Sequence, residues 1–322
     1  AAAHPASGGT YEYGYRFLSP MWGFTAGFLF MLAKSASAAT VALAAGEYLP
    51  ALFGLEAGEW GSLIAVAVLL AMGAIAVGGV RPAFFFTTLT VGLSLAALAA
   101  FSFAGLTGPN TDFSVLSPWF VQDGIPLTIE ESFYGLLHAS ALMFVAYTGY
   151  GRIATLGEEV QDPRHTIPRA VIVTVTATFL IYSLTALAAL AGAGLDFAAS
   201  PAAPLESAAR RIAPDWLPFL ISAGALLALQ SVLLNLVLGL SRTLLAMGRR
   251  GDIPRVFAQV NKAGTSPSPA VAAVLVIVLL LVLSGDVYSN WAFSAFFVLV
   301  YYAITNLAAR RLPANQRRFP KW

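Results

Sequence analysis

Phe144-Val145-Ala146-Tyr147-Thr148-Gly149-Tyr150-Gly151-Arg152-Ile153-Ala154-Thr155-Leu156-Gly157-Glu158-Glu159-Val160-Gln161-Asp162-Pro163-Arg164-His165-Thr166-Ile167-Pro168-Arg169-Ala170 is the stretch whose reading decides the fold. An apolar helix runs into a patch punctuated by Gly149 and Gly151, resumes briefly, and ends in a charged turn with two prolines. Non-helical backbone at bilayer depth leaves N–H and C=O groups without helical partners, which is tolerated only where they line a cavity or hold a ligand. The interruption is expected between about Phe144 and Gly151, and a broken membrane helix points to transport.

Outward from this stretch the chain reads as an all-α integral membrane protein. It is 58% apolar and 11% charged, with a mean hydropathy of +0.76, far from a soluble globular average. Crossing ~30 Å of hydrocarbon takes about 20 residues. Eight segments approach that length: 22–48, 61–80, 84–106, 133–158 (broken), 171–191, 217–247, 271–283 and 291–309. The seventh is short enough to be re-entrant unless it continues through Gly285.

Lysine and arginine mark the cytoplasmic side of a membrane protein. If the spans alternate strictly, Arg16, Arg81, Arg164, Arg169, the group from Arg249 to Lys262 and the group from Arg310 to Lys321 fall on one side. The opposite loops hold Arg210 and Arg211 among carboxylates that run from Glu56 to Asp286. Both chain ends are then cytoplasmic, and a plasma membrane of bacterial type is the expected location. The net charge of +2 is what remains of sorted charge and implies no nucleic-acid partner. Oligomeric state leaves no mark on the sequence.

With no cysteine in the chain, disulfide frameworks and thiolate metal sites are excluded. His4, His138 and His165 lack ligand spacing. Residues 1–16 have no long apolar core, so no signal peptide is read there, and the first residue is not Met. The chain is expected to be a fragment of a longer protein.

Polar groups inside apolar spans are costly and therefore informative. Lys34 lies deep in the first span, about 18–21 Å from its start at 1.5 Å per residue. It is either a functional charge or a lysine held by carbonyls for packing. In the sixth span, Ser231 and Asn235 are four residues apart and face one side of the helix. Ser231 is a candidate site residue, and Gln230 and Asn235 are assigned to packing. Tyr301-Tyr302-Ala303-Ile304-Thr305-Asn306 places polar groups in the final span, for a pathway or for bonds between helices.

Several local signals set boundaries. Gly78 to Pro82 reads as a tight turn, and residues 107–132 as a lid or an interfacial loop with Trp119 and Phe120. Thr166 is expected to cap the fifth span, with Pro168 in its first turn. Ile253, Val256, Phe257 and Val260 recur at helical spacing, so a short amphipathic helix capped by Asp252 is expected on the inner membrane face. Glu158, Glu159 and Asp162 beside Arg152, Arg164 and Arg169 form either a neutralised membrane edge or an inner-gate ion-pair network.

Three blocks resemble the amino acid–polyamine–organocation superfamily of secondary transporters. Pro5-Ala6-Ser7-Gly8-Gly9-Thr10-Tyr11-Glu12-Tyr13, a turn feeding a short amphipathic piece, is similar to the loop after the family's second helix. The broken helix with Gly149, Glu158-Glu159-Val160 and the exit through Ile167-Pro168-Arg169-Ala170 is similar to its sixth helix. Ser241-Arg242 through Met247-Gly248-Arg249-Arg250-Gly251-Asp252-Ile253-Pro254 is similar to the end of its eighth helix.

The resemblance implies helices three to ten of a twelve-helix protein built on two inverted five-helix repeats, the LeuT-type arrangement. The family's first helix, whose glycine-rich break shares the substrate with the sixth, has no counterpart in these residues. Backbone around Ala146, Tyr147, Thr148 and Gly149 would meet the charged end of an amino acid, with Phe144 and Tyr150 shaping the pocket. Some proton-coupled members carry a lysine in the fifth helix, where this chain has Ser94 or Gly92. Lys34, Ser231 and Ser94 are therefore the coupling candidates, and Glu158, Glu159, Arg152 and Arg242 the cytoplasmic gate candidates.

The reading is an amino acid permease working by alternating access, with no cofactor and with H⁺ or Na⁺ as the coupling ion. A carrier of amines or polyamines would need acidic pocket residues, and none lies deep in these spans. A membrane enzyme would need a carboxylate pair, metal cluster or activated nucleophile, and no such spacing occurs. A sensor of the same fold that binds without moving cargo is the third alternative.

Overall fold

The computed structural model describes residues 9–55, 58, 60–78, 80–117, 121–122, 125–151, 160–195, 203–213, 215–261 and 266–313. Among them the chain forms ten α-helices. These are α1 (Thr10–Phe17), α2 (Pro20–Ala51), α3 (Trp60–Gly78), α4 (Val80–Thr107), α5 (Ile129–Tyr147), α6 (Pro163–Ala193), α7 (Pro204–Ile212), α8 (Leu217–Arg250), α9 (Ser268–Ser284) and α10 (Val287–Arg310). A two-residue antiparallel ladder, β1 (Val121–Gln122) with β2 (Ile125–Pro126), decorates the loop before α5.

Among the described residues six helices are long and apolar enough to cross a membrane: α2, α3, residues Phe86–Thr107 of α4, α6, α8 and α10. The fourth and seventh segments of the hydropathy reading correspond to α5 and α9. The first of these carries Glu130, Glu131 and His138 and stops at Tyr147. The other is apolar but short, at 17 residues.

Helix α2 is the hub, packed against α1, α3, α8, α9 and α10. Its buried face is built from small residues, among them Ala33, Ala36, Ala38, Ala39, Ala42 and Ala45. Small side chains let membrane helices approach closely, which is how they gain packing energy when lipid is as apolar as the core. At Gly46 an added Cβ would collide with the Gly61 carbonyl, so glycine is what lets α2 and α3 meet. The largest core cluster joins α2, α3, α8 and α9 through Val41, Leu69, Leu233, Val237, Val271 and Val274. A second joins α4, α6, α7 and α8 around Phe101, Ala188 and Ile221. Outside these clusters Ile172, Val173, Phe179 and Leu180 of α6 are exposed, a face suited to lipid.

Two hydrogen bonds between polar side chains join helices inside the bundle. The Asn235 amide donates to Thr87 Oγ1 at 3.1 Å, joining α8 to α4 as the packing assignment anticipates. Ser37 and Ser294 share a hydrogen bond of 2.7 Å between α2 and α10.

The chain departs from the local signals at three places. Helix α4 begins at Val80, so Arg81 and Pro82 lie in its first turn instead of in a connecting turn; a proline there forfeits no helical bond. Helix α6 begins at Pro163, not near Thr166, because Pro163 occupies the first helical position with Asp162 before it at φ 44. Thr166 then donates its hydroxyl to the Gln161 carbonyl at 2.9 Å, and Pro168 falls inside the helix.

The expected amphipathic helix after α8 is the third departure: only one 3₁₀ turn, Arg255–Ala258, forms, and Pro254 precedes it. Asp252 caps nothing there. Its N–H bonds back to the Met247 carbonyl as α8 closes through Gly251, whose φ of 89 suits glycine. Its carboxylate turns instead to α1 and accepts from Tyr11 at 2.6 Å and from Tyr15 at 2.7 Å. Arg250 completes this network, pairing with Glu12 and lying 4.1 Å over the Tyr15 ring. With Thr305 Oγ1 donating to Thr10 Oγ1 at 3.0 Å, α1 ties the basic ends of α8 and α10 to one face of the molecule.

Candidate functional site at the end of α5

Helix α5 starts on a capping box. Thr128 Oγ1 accepts from the Glu131 N–H at 3.2 Å, and the Glu131 carboxylate accepts from the Thr128 N–H at 2.9 Å. The α-helix then holds through Tyr147, so Phe144 to Tyr147 stay helical. At Thr148 the bonding register tightens: its N–H bonds to the Val145 carbonyl, and Thr148–Gly151 form a 3₁₀ turn. Helix α5 therefore ends in the second half of the stretch where the interruption is expected, beside Gly149 and Gly151; residues 152–159, where the helix is expected to resume, lie outside the described residues.

A helix end leaves its last carbonyls without intrahelical donors, and here neighbouring helices supply them. Tyr182 of α6 donates its hydroxyl to the Ala146 carbonyl at 3.2 Å. Tyr302 of α10 donates to the Thr148 carbonyl at 3.3 Å. One turn earlier the Trp291 indole of α10 donates to the Leu142 carbonyl at 3.1 Å. Ring contacts support the same positions, with Phe144 edge-on to Tyr302 at 5.4 Å and Tyr147 against Tyr182 at 5.3 Å.

The fourth neighbour is α2. Thr148 is buried, and its hydroxyl donates to the Val145 carbonyl at 2.8 Å. Its oxygen therefore offers only lone pairs to the other side, where the Lys34 ammonium donates at 3.0 Å. The ammonium sits at the C-terminal end of α5, the end toward which the helix dipole is negative. Lys34 thus faces the end of α5.

The sequence-derived candidates divide accordingly. Phe144, Ala146, Tyr147, Thr148 and Lys34 converge on the end of α5, and the backbone of Gly149 and Tyr150 continues the same turn. Gly149 is exposed, an added Cβ there meets nothing within 4 Å, and its φ is not in the left-handed range. Glycine is therefore not demanded by backbone torsion, and the position opens onto space. Ser94 lies elsewhere, its hydroxyl between the Thr90 and Gly224 carbonyls, each at 2.8 Å, in the α4–α8 contact. Ser231 is buried on α8. Arg242 is half-buried on α8 and engaged by neighbours. Arg152, Glu158 and Glu159 lie outside the described residues.

Tyr182 and Trp291 are the members of this constellation that the sequence reading does not single out. A tyrosine in the middle of an otherwise apolar span was the available signal, as it was for Tyr302.

An apolar bundle with six helices, among the described residues, long enough to cross a membrane, and with the end of α5 held by polar groups from three other helices, defines a multi-pass membrane protein. The comparisons make the class specific. The amino acid permease family model matches residues 1–309. An uncharacterized transporter of Mycobacterium tuberculosis is 38% identical over 99% of this chain and 69% of its own length. The methylthioribose transporter of Bacillus subtilis is 25% identical over 82% of this chain and 58% of its own. Cationic amino acid transporter 4 of Homo sapiens is 24% identical over 92% of this chain and 48% of its own. The chain belongs to the amino acid permease family, within the amino acid–polyamine–organocation superfamily, and is a multi-pass membrane transporter rather than an enzyme.

Proposed function

We propose that the protein is a secondary active transporter of amino acids in the plasma membrane, working by alternating access, with its basic face and both ends of this chain in the cytoplasm. The observation that carries this reading is the turn at Thr148–Gly151. It is the point where α5 leaves α geometry at an exposed glycine, and side chains from α2, α6 and α10 hold this end of the helix in place. Turn backbone of this kind supplies donors and acceptors to a zwitterion without burying another formal charge.

In this reading Gly149 and the backbone around it meet the amino acid's charged end, and Phe144, Tyr147 and Tyr150 border the pocket. The tyrosine caps on Ala146 and Thr148 are exchangeable, because a substrate ammonium can take the place of a phenol at either carbonyl. The coupling ion is H⁺ or Na⁺, with Lys34, Ser94 and Ser231 as candidate residues and Arg152, Glu158, Glu159 and Arg242 as the cytoplasmic gate. An amine or polyamine cargo is disfavoured because no acidic residue lies deep in these spans.

Uptake of radiolabelled amino acids into proteoliposomes containing the intact protein tests this. Saturable accumulation of an amino acid, driven by an ion gradient or by counter-substrate, is the expected result. Saturable binding with no accumulation under any gradient would make the protein a sensor instead.

A further inference from the structure

We propose that the cleft between the end of α10 and the corner where α1 meets α2 binds an anionic phospholipid, with Arg310 and Arg311 on the headgroup phosphate and the exposed apolar face of α10 along an acyl chain. The lining of the cleft shares no residue with the constellation at the end of α5, so the site stands or falls independently of where substrate binds.

Three observations converge on it. First, a cleft of about 490 Å³ is present, lined by Leu18, Trp22, Leu307, Arg310 and Arg311. It offers two guanidinium groups, an indole and two aliphatic side chains, and among the described residues no carboxylate lines it. Second, the cleft sits where hydrocarbon gives way to headgroups. Arg310 ends α10 and Trp22 lies in the first turn of α2, both helices of membrane length, and tryptophan favours that depth. Third, the apolar surface continues away from the arginines. Phe296, Val300, Ala303 and Leu307 are exposed and recur at i, i+4, i+7 and i+11, one face of α10, and Arg311 stands four residues beyond Leu307 on that same face.

Basic residues in the last turn of a helix also suit its dipole, so the two arginines alone would not make a site. The dipole does not call for a cleft shared with Leu18 and Trp22, or for an apolar stripe leading up to it. A soluble anion would use the guanidinium groups and leave the stripe idle, whereas a phospholipid uses both. The planar fork of arginine matches a phosphate. Arg310 also engages a neighbour within the protein, and the five donors of a guanidinium allow it a second partner. A zwitterionic lipid brings its own cation beside two guanidinium groups, which sets it behind a lipid such as phosphatidylglycerol.

The test uses the intact protein purified in detergent, with dioleoyl phosphatidylglycerol or dioleoyl phosphatidylcholine titrated in and bound lipid counted by native mass spectrometry. Wild type is expected to bind phosphatidylglycerol at least about tenfold more tightly than phosphatidylcholine, a difference of about 1.4 kcal/mol. The double variant Arg310→Gln/Arg311→Gln should lose that preference and keep its affinity for phosphatidylcholine. Trp22→Ala should weaken both lipids alike. Arg255→Gln, which removes a charge beyond the end of α8, should leave both affinities unchanged. Millimolar sn-glycerol 3-phosphate, the headgroup chemistry without acyl chains, should not displace the lipid.

Equal affinity of wild type for the two lipids, or no bound lipid of either kind, overturns the proposal. So does a preference for phosphatidylglycerol that survives in the double variant. A loss in Arg255→Gln as large as in the double variant overturns it too, since the attraction would then belong to the basic face as a whole. Displacement by sn-glycerol 3-phosphate would make the site one for a soluble phosphate. The substituted side chains are exposed, so the variants should unfold close to the wild-type temperature. If the double variant does not, Arg311→Gln alone takes its place and should lose about threefold in affinity for phosphatidylglycerol, a change that an unaltered affinity would contradict.

Discussion

Gly149→Leu in the intact protein is expected to lower affinity for the preferred amino acid by about 100-fold or more, equivalent to about 2.7 kcal/mol, while membrane insertion and thermal unfolding stay close to wild type. The structure separates these two effects. A Cβ at Gly149 meets nothing within 4 Å, and the backbone there does not use torsions reserved for glycine. The fold therefore tolerates the first carbon. The remaining carbons of leucine extend into the open space beside the Thr148–Gly151 turn, which is the space assigned to substrate. Ligand titration monitored by intrinsic fluorescence or scintillation proximity measures the loss, and wild-type affinity in the variant would remove the steric basis of the site.

The second large effect is expected at Asp252. Its carboxylate accepts hydrogen bonds from Tyr11 and Tyr15 and is the main polar tie between α1 and the end of α8. Asp252→Ala leaves the buried Tyr11 hydroxyl without this acceptor, and a stranded buried donor costs about 1–3 kcal/mol. The variant should unfold at a lower temperature in detergent, and limited proteolysis should cut more readily near α1.

The pH dependence follows from the same geometry. Burial first, and then the bonds to Asp252, push the Tyr15 phenol up to about 12 and the Tyr11 phenol well above its usual range. Both groups hold their protons more tightly in the folded protein than in the unfolded chain. Their contribution to stability is therefore complete below pH 10 and is lost as the pH rises from 10 through about 12 and beyond. Absorbance of tyrosinate should show these phenols ionising late, and earlier in Asp252→Asn. An unchanged titration in that variant would mean that Asp252 does not hold α1.

The helices were legible because hydropathy along a single span is a local property. The departure from α geometry was legible for the same reason, through Gly149 and Gly151, but it begins later than the sequence suggests. Phe144 and Tyr147 look like part of an irregular patch in sequence, yet their rings pack on Tyr302 and Tyr182 and keep the α-helix going. Asp252 was misread on sound local grounds. Ile253, Val256, Phe257 and Val260 have helical spacing, but the carboxylate is drawn to tyrosines 241 and 237 residues away, and only a 3₁₀ turn follows. Likewise Lys34 announced itself by depth, while its partner Thr148, 114 residues on, is a contact that no periodicity encodes.

The absence of cysteine from these 322 residues makes the central claim directly measurable. Gly149→Cys in the intact protein, freed of any cysteine elsewhere, places one thiol at the open face of the turn. Its rate of reaction with a small methanethiosulfonate reagent can then be followed with and without saturating transported amino acid. If the turn holds the substrate, the amino acid should slow labelling about tenfold or more, and an amino acid that is not transported should have no effect. Labelling at the same rate with and without transported amino acid would contradict the assignment of the Thr148–Gly151 turn as the substrate site.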